Sequence, residues 1–322
     1  MIVFSIVVNT PAPILSPVAW AYLTGAVVLS LGLVVISLHR DWRKAPGLDK
    51  LLLLGPLFYA APIAAFGTEH FTLTKAIVSI VPQWMPWHYF WAYLVGTCLI
   101  AAGFSLASKI QSRLAASLLA FTFFMFVVLM DVPGWARDPR SRFAAALIFR
   151  ELSFSGGALA LAISLTPRWR ERGSHPLATV ARYFIAVPVL FYSFEQFLHP
   201  HHVPAVPLEL VTPTWIWGHV AWTYIAAIVF AVTGIMLLIG KRTRAAATWL
   251  GLTVLFVELV VYVPFAIGER SSLEGLNYLA DTLMYCGAVL MLAGAMPKEP
   301  EWRESPAAWR NLESSGEQPA QV

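Results

Sequence analysis

"FYAAPIAAFGTEHF" (Phe58–Phe71) and "FIAVPVLFYSFEQF" (Phe184–Phe197) carry the reading of the whole chain. Laid over one another, Phe58, Ala60, Pro62, Glu69 and Phe71 fall on Phe184, Ala186, Pro188, Glu195 and Phe197, each 126 positions on. A second pair follows. In "VPQWMPWHYFWAY" (Val81–Tyr93) and "TPTWIWGHVAWTY" (Thr212–Tyr224), Pro82, Trp84, His88, Trp91 and Tyr93 fall on Pro213, Trp215, His219, Trp222 and Tyr224, now 131 positions on. Arg113 and Pro133 fall on Arg244 and Pro264 at the same spacing, and Glu151 and Gly157 fall on Asp281 and Gly287 at a spacing of 130. Matches that keep their order along a chain are the mark of internal repetition.

The segments around these matches are strongly apolar. Of 322 residues, 58% are hydrophobic and only 12% charged, with a mean hydropathy of +0.67. Soluble domains carry about 25% charged residues, so the composition is that of a polytopic membrane protein. The net charge of +4 fits basic loops at a membrane surface and gives no reason to invoke nucleic acid. Cys98 and Cys286 both lie in apolar runs, which excludes a disulfide framework or a CxxC motif. Residues 1–16 contain no Lys or Arg, so the basic start of a signal peptide is missing.

A bilayer crossing takes about 20 apolar residues. Nine runs meet that length: 17–38, 51–68, 87–107, 113–132, 144–165, 179–198, 216–240, 244–266 and 275–296. The fold class is all-α, because backbone facing lipid must satisfy its own hydrogen bonds. The order is a leading helix with its loop (1–50), a four-helix repeat (51–166), a second four-helix repeat (167–296) and a polar cytoplasmic tail (297–322). Each repeat has an even number of spans, so the two are parallel, related by an axis along the membrane normal. Sixteen of the 22 Lys and Arg residues fall in one set of loops, including Arg40, Arg113, Arg182 and Arg244. By the positive-inside rule those loops are cytoplasmic and the N-terminus is outside, in the cell (inner) membrane. Arg137, Arg140 and Arg142 run against that assignment.

On this topology the ionisable residues gather at the outer face. The first repeat brings Glu69, His70, Trp84, His88, Asp131, Arg150 and Glu151 there. The second brings Glu195, Trp215, His219, Tyr262 and Asp281, with Tyr262 in place of Asp131 and Ala280 in place of Arg150. Four antiparallel helices would set each group at one depth around a pocket. Ionisable groups at membrane depth are costly and point to function, although Arg150 could equally pair with Glu69, Asp131 or Glu151 as a purely structural network. Most of the indoles read as an interfacial aromatic belt. No metal is assigned: His199, His201 and His202 of "HPHH" come nearest to a ligand set, in a loop without Cys. Glu258 stands alone in mid-span, as a proton-relay step or a protonated core acid.

The "F-x-A-x-P-x6-E-x-F" helix, the "W-x3-H-x2-W-x-Y" entry to the next helix and the Gly157 and Gly287 helices resemble the DoxX-like family of four-helix membrane proteins. The chain looks like a tandem of two such units over about residues 51–296. The resemblance implies a redox setting, since relatives include subunits associated with thiosulfate:quinone oxidoreductase and proteins that assist maturation of periplasmic redox enzymes. It implies no catalytic residues.

Three functions follow as expectations. One is an oxidoreductase subunit binding a quinone or similar lipophilic carrier at the outer pocket, with a separate redox partner subunit. The second is a structural or assembly partner without chemistry, and the third a small-molecule transporter. No Walker loop, GxSxG or HExxH motif supports a nucleotide enzyme or hydrolase.

Overall fold

A computed structural model describes residues 16–166, 176–203, 210–213 and 215–298. The segment 1–15, on which the expectation of no signal peptide rests, the basic residues Arg168, Arg170, Arg172, Arg303 and Arg310, and the polar tail from 299 lie outside the described residues. Among those described, nine helices are long and apolar enough to cross a membrane. They are α1 (Pro17–Leu38), α2 (Asp49–Thr72), α3 (His88–Ser108), α4 (Ser112–Arg137), α5 (Arg142–Ser164), α6 (Pro176–Leu198), α7 (His219–Ile239), α8 (Thr243–Gly268) and α9 (Leu273–Ala295). The protein is an all-α, multi-pass membrane protein. We call the end at which α3 and α7 begin the histidine end, and the end carrying Arg113, Arg182 and Arg244 the arginine end.

Local chemistry sets the boundaries. Ser141 and Ser272 cap α5 and α9, each accepting from a backbone N–H two or three residues on. Within α4 and α8 one turn is widened to a π-helix, at Val127–Asp131 and Glu258–Tyr262. A proline follows each, Pro133 and Pro264. Proline lacks the N–H that an α-helix needs, and its ring collides with the carbonyl four residues back; the wider turn relieves both.

These features recur at a spacing of 131. It separates the two π-turns, the two serine caps, and α3 from α7 at both ends. Three left-handed backbone positions recur at the same spacing: Trp87 with Gly218, Lys109 with Gly240, and Gln111 with Arg242. In this register the counterpart of Arg150 is Asp281 and that of Gly156 is Gly287. The sequence pairing of Glu151 with Asp281, of Gly157 with Gly287 and of Arg150 with Ala280 is therefore one residue out of step. Matching acid to acid and glycine to glycine favoured the neighbouring residue, whereas the helix caps place the true register.

Packing runs between the halves of the chain. The central helices lie in the order α2, α9, α5, α6, with α1 and α3 against α2, α4 against α5, α7 against α6 and α8 against α9. Small residues allow the close approaches, as is usual between membrane helices. A Cβ at Gly287 would lie 2.7 Å from the Gly55 carbonyl oxygen and 2.9 Å from the Phe58 carbonyl carbon, and one at Gly156 would lie 3.0 Å from the Ala181 oxygen and 2.8 Å from the Phe184 Cβ. Ala181 and Phe184 stand 126 positions after Gly55 and Phe58, so α9 on α2 repeats the contact of α5 on α6. Between α5 and α9, Gly157 packs directly on Ala288, its own counterpart.

Candidate functional site

Two helices that meet at equivalent positions place a pseudo-two-fold axis between them. One helical pair of turns from Gly157 and Ala288, that axis passes through Arg150 and Asp281. Arg150 Nη1 donates to Asp281 Oδ2 at 2.8 Å, and Nη2 donates to Glu151 Oε1 at 2.8 Å. Both carboxylates are buried. Asp131 on α4 and Glu69 on α2 stand within electrostatic range of the same guanidinium, and Glu69 also senses Asp281. One cation thus sits among four carboxyl groups from four helices. Their hydrogen bonding is incomplete: Arg150 Nε, Glu69 Oε1, Asp131 Oδ2 and Glu151 Oε2 are buried without a protein partner.

The expected single depth is not what the helices provide. Arg150 and Asp281 each lie eight residues inside their helix from the histidine end, or about 12 Å at 1.5 Å per residue. Glu69 is three residues from that end of α2 and Asp131 six from that end of α4, about 5 and 9 Å. The cluster is a descending series that reaches well into the bundle.

Other expected members go elsewhere. His88 opens α3, half-buried, and its Nε2 pairs with the Pro82 carbonyl at 3.1 Å, within its own loop. His70 Nδ1 donates back to the Phe66 carbonyl at 2.8 Å. Both histidines thus bond backbone carbonyls of their own segments, while Arg150 bonds Asp281 and Glu151. Trp84 and Trp215 are 66% and 58% exposed, in keeping with an interfacial belt. Tyr262 is fully buried and stacked on Tyr278 at 6.0 Å, and its hydroxyl is without a hydrogen-bond partner.

Glu195, the counterpart of Glu69, is drawn into a different group. Arg142 Nε donates to Glu195 Oε2 at 2.7 Å, with His199 Nε2 at 3.8 Å from the same oxygen. The position 131 after Arg142 is Leu273, which packs with Ala65 on α2. Glu69 therefore lacks the arginine that its counterpart holds. His201 lies against His219 with ring centroids 5.8 Å apart, and His202 pairs with Val211 in an isolated antiparallel bridge. Burial, then the nearby Arg142 and His199, hold the His202 imidazole below its usual range. Among the described residues no group of three or more His, Cys, Asp or Glu is arranged to hold a metal.

Sequence reasoning chose Arg150 and Asp281 but assigned them to separate pockets. Two members were missed as chemistry: the π-turns that carry Asp131, Glu258 and Tyr262, signalled by Pro133 and Pro264, and Arg142, whose departure from the positive-inside rule was visible. Comparison with family models, characterised proteins and solved structures finds no match to this chain.

Proposed function

We propose that this multi-pass membrane protein, a tandem of two DoxX-like units, binds a membrane-soluble redox carrier of the quinone type at the α2–α5–α9 junction and exchanges protons with it. The carrying observation is one guanidinium among four carboxyl groups with hydrogen-bonding atoms unfilled on both sides of the ion pair. In a low-dielectric setting a carboxylate without its own cation is costly, so such a cluster favours holding protons as well as charge. A quinone carbonyl accepts from a guanidinium N–H; a quinol hydroxyl donates to a carboxylate. Reduction to quinol takes up two electrons and two protons: the carboxyl groups supply protons, and the electrons come from a separate redox partner subunit. Beside the cluster, an apolar groove of about 440 Å³ between α1, α2 and α3 is lined by Trp20, Leu23, Val27, Phe71 and Ile100, and also by Thr68, next to Glu69. Its character suits an isoprenoid tail.

The test is binding of a short-tailed ubiquinone analogue to purified protein in lipid nanodiscs. Saturable binding that Glu69→Gln weakens by about tenfold or more, the cost of losing one hydrogen bond to a charged group, is expected. Protein that contains no quinone and binds no analogue overturns the reading.

A structural role is the second reading, and it has its own observation. Arg150–Asp281, Arg142–Glu195 and Arg244–Asp49 each join the first half of the chain to the second. If Glu69→Gln leaves the host phenotype intact while Arg150→Leu abolishes accumulation of the protein, this reading replaces the first.

A further inference from the structure

Deeper in the bundle than the Arg150 cluster, Glu258 begins the second π-turn, ten residues from the histidine end of α8, or about 15 Å in. It is 2% exposed, and neither carboxylate oxygen has a protein partner. Burial shows where it faces. Leu259 and Val260 are exposed on the lipid side, whereas Glu258, Val261 and Tyr262 are buried toward α9. Glu258 and Tyr262, four residues apart, share that inner side, as residues i and i+4 of a helix do. π-turns of this kind recur at functional positions.

Two groups lie near Glu258. Tyr262, from its own helix, and Cys286, from α9, are within electrostatic range of it. The Cys286 thiol donates to the Gly251 carbonyl at 3.5 Å, so it gives Glu258 no cation and is itself engaged. The Tyr262 hydroxyl, on the same buried face, is likewise without a hydrogen-bond partner and lies within electrostatic range of Asp281, the partner of Arg150. An acid with no cation and no donor in a membrane interior is neutralised far more cheaply by a proton than it is tolerated as an ion.

We propose that Glu258 is a proton-binding site and that Tyr262 connects it to Asp281, which extends the Arg150 cluster into a proton path running toward the middle of the membrane. Transfer is a hydroxyl relay: the Glu258 O–H breaks as Tyr262 takes that proton, and Tyr262 releases its own toward Asp281. No oxidant or reductant takes part. The site goes beyond the redox reading, and its test needs no quinone, so the two fail separately.

The test is infrared spectroscopy of the full-length protein in lipid. Wild type is expected to show a protonated-carboxyl C=O band that Glu258→Gln removes and that shifts in D₂O. Tyr262→Phe should slow that shift by more than about tenfold, the scale of losing one positioned proton donor. In parallel, dicyclohexylcarbodiimide, which adds to protonated membrane carboxyls, should label the wild-type peptide containing Glu258; this arm holds even if Glu258→Gln fails to fold. A wild-type protein with neither the band nor the adduct overturns the proton site. An exchange rate unchanged in Tyr262→Phe overturns the route through Tyr262. Loss of band and adduct on adding sodium makes the ligand a metal cation and overturns the proposal.

Discussion

Arg150→Leu, Asp281→Asn and the exchange Arg150→Asp/Asp281→Arg form the decisive perturbation series for the junction. The two bonds from Arg150, each 2.8 Å and each to a charged acceptor, are of a kind that contributes about 1.5–3 kcal/mol apiece. Breaking a buried pair by removing one partner costs about 3–5 kcal/mol. The two single variants should not be equal. Without Arg150, Asp281 and Glu151 both lose their cation, and the loss should reach the upper part of that range. With Asp281→Asn, Arg150 keeps Glu151 and an amide oxygen still accepts, so about 1–2 kcal/mol is expected. Because positions 150 and 281 are counterparts across the pseudo-axis, the exchanged pair meets in nearly the same geometry and should recover at least half of the loss in Arg150→Leu. Thermal unfolding in lipid, followed by tryptophan fluorescence and treated as a double-mutant cycle, measures this. An exchanged protein no more stable than Arg150→Leu, or an Arg150→Leu protein as stable as wild type, refutes the reasoning.

Gly287→Ala drives a methyl onto the backbone of α2 and should destabilise by about 1–3 kcal/mol, whereas Gly294→Ala, with nothing within 4 Å, should be neutral; the same unfolding assay compares them. Arg242 holds a left-handed backbone (φ 47°) where a side chain is strained, so Arg242→Gly should leave stability unchanged or raise it by up to about 1 kcal/mol. At the arginine end, Arg244 Nη2 bonds Asp49 Oδ1 at 2.6 Å while Nη1 bonds the Ala293 and Met296 carbonyls; Arg244→Ala and Asp49→Asn should each cost about 1–3 kcal/mol and be clearly non-additive. The His202 imidazole is held below its usual range, so the unfolded segment takes up a proton more readily than the folded one. Its stability is then whole above the ordinary histidine value of about 6.5 and falls as pH drops through and below it; the protection of the His199–Val203 amides, measured against the intrinsic exchange rate at each pH, should fall on acidification, less so in His202→Gln.

The spans were legible because hydropathy reports depth directly. The runs 17–38 and 87–107 differ from Pro17–Leu38 and His88–Ser108 by at most one residue at either end. Hydropathy is silent on neighbours, however, since every face of these helices is apolar, and so the contact of α2 with α9 could not be read from it. The site was half legible for the same reason. Glu69, Asp131, Arg150, Glu151 and Asp281 announced themselves as costly residues in apolar runs, but which of them meet depends on helix order. His88 and His219 recur in sequence but are used differently: His88 ties down its own Pro82 turn, whereas His219 lies against His201. The register error between Glu151 and Arg150 came from comparing chemistry where backbone geometry was conserved and chemistry had diverged.

The contact between Arg150 and Asp281 bears on how such a chain can arise. A residue on a two-fold axis meets its own image, so in a pair of identical chains an arginine there would face an arginine and an aspartate an aspartate. Neither arrangement is stable away from water. Joining the two copies in one polypeptide removes that restriction, because each side of the axis can then mutate alone. An opposite-charge bond at this place is denied to a pair of identical chains, and separating the gene into two identical halves would forfeit it.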